Sequence, residues 1–195
     1  MALDTAPAPY EPRFDSGRSC LDLVATTHPV ERLGSVAGLR AWLVGTGLVP
    51  AGTPLRAACP AWLTAFHELR RQIRQSVLGE IEHRPAAEAL ERVNALAAEA
   101  PPAPRAVRAA DGTLVRALGA DPDCAALVAC LARDAVDLLT DPEARARIRR
   151  CEGDNCPLVY LDTSRGHRRR WCSSEVCGNR ERVARHRRRA ALART

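Results

Sequence analysis

The sequence predicts an α+β fold that is mainly α, with a helical N-terminal domain containing one small β-hairpin and a C-terminal unit made of a second hairpin and a terminal helix. Residues 61–82 repeat apolar side chains every three or four positions, which is typical of a helix with one buried face. Asp111-Gly112 lies between two alternating apolar runs, which indicates a hairpin. Four cysteines in the last quarter of the chain form two spaced pairs, which indicates a small unit held by a metal.

The first elements of the N-terminal domain follow from their start and stop signals. Residues 14–26 predict a short strand or helix with Leu21 and Leu23 turned inward. Ser35 is a suitable N-cap for a helix that stops before Gly45. The long helix over 61–82 is expected to bury Trp62, Phe66, Leu69, Ile73, Val77 and Ile81.

Proline and glycine residues divide the next segment. A helix over 85–98 is expected to place Leu90, Val93 and Leu96/Ala97 on one side before a run of prolines ends it. The hairpin over 105–118 is expected to turn at its central Asp-Gly pair through a primed turn, which needs a positive φ at both residues.

Two Asp-Pro pairs mark the last helices of this domain. Asp121 is expected to cap a helix with Pro122 at its first position, running to about Leu139. Asp141-Pro142 repeats the same start signal over a short connector.

Composition and charge divide the chain in the same way. Residues 1–13 are rich in proline and predict a disordered N-terminus, 14–143 predict the helical domain, and 144–195 predict the C-terminal unit. From Arg145 to Thr195 there are 15 Arg and 5 acidic residues, a balance of +10, whereas the other 144 residues hold 14 Arg and 18 acidic residues, a balance of −4. A basic segment beside an acidic body is expected where one part of a protein meets a polyanion.

The paired cysteines predict a zinc site. Cys151 and Cys156 are separated by four residues, as are Cys172 and Cys177, and fifteen residues lie between the pairs. Four thiolates suit Zn²⁺ in a tetrahedron, and such a closed site leaves no position for water. Because the segment has few large apolar residues, one structural zinc ion is expected to hold it together. Alternative ligands in the same segment are Asp154, His167 and His186.

The residues around the cysteines predict a treble-clef-like finger. Residues 157–161 are β-branched and aromatic enough for a strand, which Trp171 is expected to join. Ser173 is a candidate N-cap that places Cys177 in the first turn of the terminal helix.

Arginines on this helix and on the preceding loop predict contacts with nucleic acid. If residues 177–192 are helical, the arginines at 182, 185 and 189 share one side. The planar Arg fork grips phosphate, and a rigidly held helix suits the major groove of DNA. The predicted contacts are Arg168, Arg169, Arg170, Arg182, Arg185 and Arg189. Asn179 and Arg180 are instead expected to have a structural role beside the metal.

Several motifs resemble a known family. Cys151-x4-Cys156, Leu161-Asp-Thr-Ser164, Arg170-Trp-Cys-Ser173 and Cys177-Gly-Asn-Arg180 resemble the CGNR zinc finger. Gly17, followed by Leu21-Asp-Leu23 and Thr26, resembles the opening of the ABATE domain that precedes such fingers in bacterial proteins. The resemblance implies a stress-induced transcription regulator in which the four paired cysteines bind zinc.

Other functional classes find less support. The sequence contains no P-loop, dinucleotide-binding turn, serine elbow or HExxH motif, so it predicts a protein that is not an enzyme. It has no signal-like start and no apolar run of about 20 residues, which predicts a cytoplasmic protein without a membrane partner, nucleoid-associated if it binds DNA. In a reducing cytosol the other cysteines are expected to be buried thiols. They are Cys20, Cys59, Cys124 and Cys130.

Two alternatives to DNA binding stay open at this point. The same arginines would suit RNA or the ribosome, and a zinc-stabilised unit would also suit a protein-interaction adaptor. A homodimer and a small-molecule effector of the N-terminal domain are compatible with the sequence, which contains no polar cluster that would identify such an effector.

Overall fold

The computed structural model describes residues 14–192, and the predicted disordered segment 1–13 lies outside them. The described chain is mainly helical with two small hairpins, which confirms the predicted fold class. The helices are α1 (Ser19–Ala25), α2 (Val36–Gly45), α3 (Pro60–Ile81), α4 (Ala87–Ala97), α5 (Cys124–Thr140), α6 (Pro142–Ala146) and α7 (Asn179–Leu192). The strands are β1 (Pro104–Arg108), β2 (Leu114–Leu118), β3 (Ile148–Arg150) and β4 (Val159–Leu161), and a π-helical turn (Ser174–Gly178) leads into α7.

Helix α3 is the centre of the N-terminal domain. It packs against α1, α2, α4 and α5, and its predicted apolar face is buried as far as Val77, with Ile81 half-buried at the end. Trp42 of α2 meets Phe66 of α3 edge to face, with ring centroids 6.4 Å apart. This arrangement suits the quadrupoles of two aromatic rings.

The helix caps follow the sequence signals in two cases and correct them in a third. Ser35 accepts a hydrogen bond from the N–H of Gly38, and Asp141 caps α6 as predicted. The prediction that Asp121 caps α5 is wrong, because Asp123 accepts from Ala126 at 2.8 Å. Asp121 instead lies 3.5 Å from the guanidinium of Arg56.

One burial prediction is wrong, and one predicted helix side is only partly buried. On α4, Val93 is buried together with Ala89, whereas Leu90 is 39% exposed. Cys59 is exposed, because it lies at the N-cap position of α3 and outside the helix packing. Of the other cysteines expected in the core, Cys20 is buried, while Cys124 and Cys130 are half-buried.

The first hairpin pairs β1 with β2 antiparallel, with Val107 opposite Val115. Its turn is not the predicted primed turn. The N–H of Gly112 donates to the carbonyl of Ala109 at 2.9 Å, and Gly112 has φ +84°, whereas Asp111 is not among the residues with positive φ. The loop is therefore a type I turn followed by a left-handed glycine, the usual form when one more residue separates the strands.

The second hairpin, β3 and β4, joins the C-terminal segment to the helical core. Ile148, Val159 and Leu161 are buried in the same apolar core as the N-terminal helices. The N–H of Leu161 donates to the carbonyl of Ser16 at 2.8 Å, so the chain before α1 lies along β4. The cysteine-bearing segment is thus attached to the N-terminal domain by shared core and by backbone hydrogen bonds.

We expect the carboxyl group of Asp22 to make stability depend on pH. Asp22 accepts from the N–H of Ser16 at 2.9 Å, but burial raises its pKa to about 6, and the carboxylates of Asp15 and Asp134 add to the increase. A raised pKa means that the folded chain binds the proton more tightly than the unfolded chain, so this contribution to stability is present at low pH and is lost as pH rises through about 6.

Replacing Asp22 by Asn should remove this dependence. Between about pH 4 and pH 6.5 the free energy of unfolding of the wild type should fall relative to D22N by on the order of 2 kcal/mol, measured by urea titration at each pH. Parallel pH profiles of the two proteins would contradict the expectation.

Candidate metal centre and basic surface

The metal-binding cysteines are presented by a hairpin and a helix start. Cys151 follows β3 directly, and Cys156 ends the loop that returns the chain to β4. Cys172 lies next to the cap of the π-helical turn, and Cys177 lies within that turn. The hydroxyl of Ser173 accepts from the N–H groups of Glu175 and Val176, both at 3.1 Å, which confirms the predicted cap.

One prediction about the second hairpin is wrong. Strand β4 pairs with β3, with Arg150 opposite Val159, and not with the segment around Trp171. The hairpin therefore encloses the first cysteine pair. The segment of Trp171 runs past the cysteine loop instead, where the N–H of Glu152 donates to the carbonyl of Arg170 at 2.9 Å.

The geometry of the sulfur atoms fits zinc. The four Sγ atoms all lie within 4.8 Å of one another, and that of Cys172 is 3.7 Å from those of Cys156 and Cys177. With Zn–S bonds of about 2.3 Å, the sulfurs of a tetrahedral site lie about 3.8 Å apart. The alternative ligand His167 is turned away, since its Nδ1 lies 3.4 Å from the carbonyl of Asp162. The cluster fits one structural zinc ion held by Cys151, Cys156, Cys172 and Cys177.

Hydrogen bonds within the cluster shift the pKa values of its thiols. The pKa of Cys151 lies well below its usual value, because the thiols of Cys156 and Cys172 and the backbone N–H groups of Cys172 and Gly153 donate to its sulfur. The pKa of Cys172 is raised well above its usual value, because hydrogen bonding to Cys151 and Cys156 favours its thiol form, and burial and the charge of these neighbours add to the increase. Four thiolates at this spacing need a dication, which zinc supplies.

Glycine suits position 153 in the tight loop between the first two ligands. A Cβ at this position would lie 3.1 Å from the Cβ and 3.2 Å from the Sγ of Cys177, so a side chain would require the second cysteine pair to shift by a few tenths of an ångström. Gly153 avoids this crowding while its N–H donates to Cys151.

The arginine-rich loop after β4 is held by a buried carboxylate. Asp162 accepts from the N–H and hydroxyl of Ser164 and from the N–H of Arg169. Burial opposes its charge, but these hydrogen bonds outweigh burial and lower the pKa of Asp162. The hydroxyl of Tyr160 donates to the carbonyl of Arg169 at 2.6 Å. The backbone of the loop is therefore fixed at both ends.

Two of the loop arginines predicted to contact nucleic acid make intramolecular contacts. The guanidinium of Arg169 lies over the ring of Tyr160 and donates to the carbonyls of Asp15, Trp171 and Cys172. Arg170 lies over the ring of Trp171, and its Nε is 2.6 Å from the carboxylate of Glu152. Sequence spacing gives no sign of these contacts. Arg168 is exposed and has no such partner within residues 14–192.

Helix α7 carries the other three predicted contacts on one exposed side. Arg182 reaches the carbonyl of Ser174 only at 3.4 Å, and Arg185 lies 4.0 Å from Glu181. Arg189 has no hydrogen-bond or ion-pair partner in the described part of the chain. Arg188, which was not predicted as a contact, pairs with Glu181 at 2.8 Å.

Asn179 and Arg180 lie where the helix leaves the metal site. The N–H of Asn179 donates to the carbonyl of Val176, which continues the π-helical turn into α7. Arg180 faces the N-terminal domain across a cleft that it lines with His28, Cys172 and Cys177. Burial lowers the pKa of His28, and the guanidinium of Arg180 lowers it further. The structural role expected for both residues stays a prediction.

The fold and site define a zinc-finger protein with a helical N-terminal domain. Family models match both parts: residues 17–142 match ABATE, described as "Putative stress-induced transcription regulator", and residues 147–190 match the CGNR zinc finger. The chain belongs to the ABATE family and carries a C-terminal CGNR zinc finger. These are regulator and zinc-finger families and not enzyme families. A search of curated proteins finds no match to this chain.

Membrane insertion of a helix finds no support in the structure. Across residues 14–192, each helix is too short or too polar to cross a bilayer.

Proposed function

We propose that this chain is a bacterial transcription regulator that binds duplex DNA through its zinc finger and α7. The observation that carries the proposal is the row of exposed arginines at 182, 185 and 189 on a helix that continues directly from the π-helical turn holding the metal ligand Cys177. A helix anchored in this way presents its guanidinium groups in a fixed direction, as major-groove recognition requires.

The charge of α7 supports a polyanionic partner. Six of the 14 residues of the helix are arginine, and Glu181 is its one acidic residue. The large apolar residues of this helix, Val183 and Leu192, are exposed and lie outside the core of the described chain, and the stability of such a helix in isolation is marginal. Phosphate groups along DNA would neutralise the arginines and fix their side chains.

The structure favours a smaller contact set than the sequence predicted. We propose that Arg168, Arg182, Arg185 and Arg189 contact DNA, because they are exposed with weak or no intramolecular partners. Arg169 and Arg170 then act indirectly, by holding the loop on Tyr160 and Trp171.

Replacing Arg182, Arg185 and Arg189 together by Ala tests the proposal. Because each phosphate contact contributes about −0.9 to the slope of log K against log salt, the slope should become less steep by about 2 to 3, and the affinity for a mixed-sequence duplex should fall about 100-fold near 0.1 M salt. Fluorescence anisotropy with a labelled duplex measures both quantities.

A triple variant of arginines on the helical domain serves as the control. Arg71, Arg84 and Arg92 are exposed and pair with Glu68, Glu82 and Glu88, so their replacement by Ala lowers the net charge equally without touching the finger. Equal loss of affinity in both variants would show that net charge alone attracts DNA and would contradict the proposal. Competition by single-stranded or hairpin RNA that exceeds competition by duplex DNA would favour the RNA alternative.

We further propose that the N-terminal domain senses a signal or forms a dimer. The protein is proposed to act in the cytoplasm, on the DNA of the nucleoid. The shared core of β3, β4 and the helices supports coupling, since a change in packing around α1 would reach the finger through Ser16 and Leu161. If DNA affinity is unaffected by the α7 substitutions, an adaptor that binds protein partners becomes the better proposal.

A further inference from the structure

The β1–β2 hairpin is an exposed part of the N-terminal domain. Most residues of both strands are exposed, and Leu114 reaches 66% exposure. The Nη1 of Arg116 donates to the carbonyl of Gly47 at 3.0 Å, and Leu118 packs against the edge of the core. A two-stranded hairpin is only marginally stable in water by itself, so a partner that covers this one would stabilise it.

The strand register gives the hairpin two different faces. Arg108 is opposite Leu114, and Ala106 is opposite Arg116, so these residues share one face. The other face carries Val107, and the loop at Pro50–Pro54 forms a shallow groove with both faces near the base of β2, where Arg116 and Leu118 also line it. We call the exposed residues of the first face the outward hairpin face (Ala106, Arg108, Leu114 and Arg116), which is both cationic and aliphatic.

The hairpin is a positive region on an otherwise acidic domain. Arg105, Arg108 and Arg116 lie on its strands, and within residues 14–192 none of them pairs with a carboxylate. Asp111 at the tip is occupied by hydrogen bonds from the N–H and hydroxyl of Thr113. Arg108 and Arg116 each donate one hydrogen bond to a backbone carbonyl, of Gly112 and Gly47, which orients the guanidinium group but does not neutralise its charge.

We propose that the outward hairpin face is a second contact surface for duplex DNA, in addition to α7. The inference rests on the proposed DNA-binding function and extends it to the N-terminal domain. A two-stranded ribbon fits the major groove, and apolar side chains such as that of Leu114 suit contact with thymine methyl groups. Arg108 and Arg116 are diagonal neighbours, which places their backbones about 7 to 8 Å apart and lets both reach phosphates of one strand.

Charge argues against a second copy of this chain as the occupant. Antiparallel pairing of two β2 strands about their central residue would place Arg116 opposite Arg116, and like charges directly opposite are unfavourable. DNA meets the same face with complementary charge.

Two variants test the outward hairpin face on the full-length zinc-loaded protein. Replacing Arg108 and Arg116 by Ala should make the slope of log K against log salt less steep by about 1 to 2 on a mixed-sequence duplex. Leu114→Glu adds a negative charge at a position that is 66% exposed, and it should weaken binding several-fold while circular dichroism stays unchanged.

Matched controls separate this inference from the proposed function. The double variant R84A/R92A loses the same charge on the helices and should leave the slope unchanged. If α7 substitutions reduce DNA binding but the hairpin variants bind like the wild type, the hairpin inference is overturned and the proposed function stands. If the wild type binds no duplex, both are overturned. A hairpin variant that changes the oligomeric state in size-exclusion chromatography but leaves DNA affinity intact would assign this face to self-association.

Discussion

Replacing Cys172 by Ser should abolish zinc binding and unfold the chain beyond β4, including α7. Cys172 is at the centre of the cluster, 3.7 Å from two other sulfurs, so three cysteines without it cannot complete a tetrahedral site. Zinc contributes on the order of 10 kcal/mol to small sites of this kind, and the apolar cluster around the cysteines adds little beside Tyr160 and Trp171.

The measurements should separate the finger from the helical domain. Zinc content should fall from one ion per chain to none, and hydrogen exchange should increase sharply over residues 162–192. The helices α1 to α5 should keep their protection, because Phe66, Leu69 and Ile73 remain buried among themselves. Their stability should still decrease, since β3 and β4 belong to the same core.

Cys59→Ser is the matched control. Cys59 is exposed and distant from the cluster, so its replacement should change neither zinc content nor exchange. Full retention of zinc by C172S, or unchanged protection of α7 after chelation, would show that the finger does not depend on this site.

Replacing Gly17 by Val should loosen the attachment of the finger to the N-terminal domain. Gly17 has φ +88°, which β-branched residues avoid, and a Cβ there would lie 3.0 Å from both the Cβ and the carbonyl oxygen of Leu161. Backbone strain of about 1 to 3 kcal/mol and overpacking of similar size predict a loss of about 3 to 5 kcal/mol in the free energy of unfolding. Urea titration of the zinc-loaded protein measures it.

Gly34→Val gives the comparison. Nothing lies within 4 Å of a Cβ at Gly34, and its φ is not positive, so this variant should lose less than about 0.5 kcal/mol. A G17V protein as stable as G34V would mean that the segment before α1 does not hold β4. If G17V is as stable as the wild type but shows increased hydrogen exchange in the finger alone, Gly17 does contact the finger. The contact would then contribute less to the free energy of unfolding than the expected value of about 3 to 5 kcal/mol.

Local signals in the sequence account for much of this protein. Some features could be predicted because each depends on residues a few positions apart in sequence. They are helix α3, the N-caps at Ser35, Asp141 and Ser173, and the zinc ligands. Cysteine spacing in particular specifies a metal site before any fold is known, since a tetrahedral ion needs four thiolates and little else. The family resemblance rests on the same short motifs.

Tertiary structure decided the features that depend on distant parts of the chain. Arg169 contacts the carbonyl of Asp15 across 154 positions of sequence, and β4 takes the segment at Ser16 beside it. An arginine in a basic loop looks identical in sequence whether its guanidinium faces solvent or caps carbonyl groups. The exposure of Leu90 and Cys59 likewise depends on which helix faces meet. The sequence by itself determined the helices and the zinc ligands. The packing of the zinc finger on the N-terminal domain was decided by tertiary structure, and this packing places each arginine. It depends on contacts between distant residues, which form only once the chain has folded.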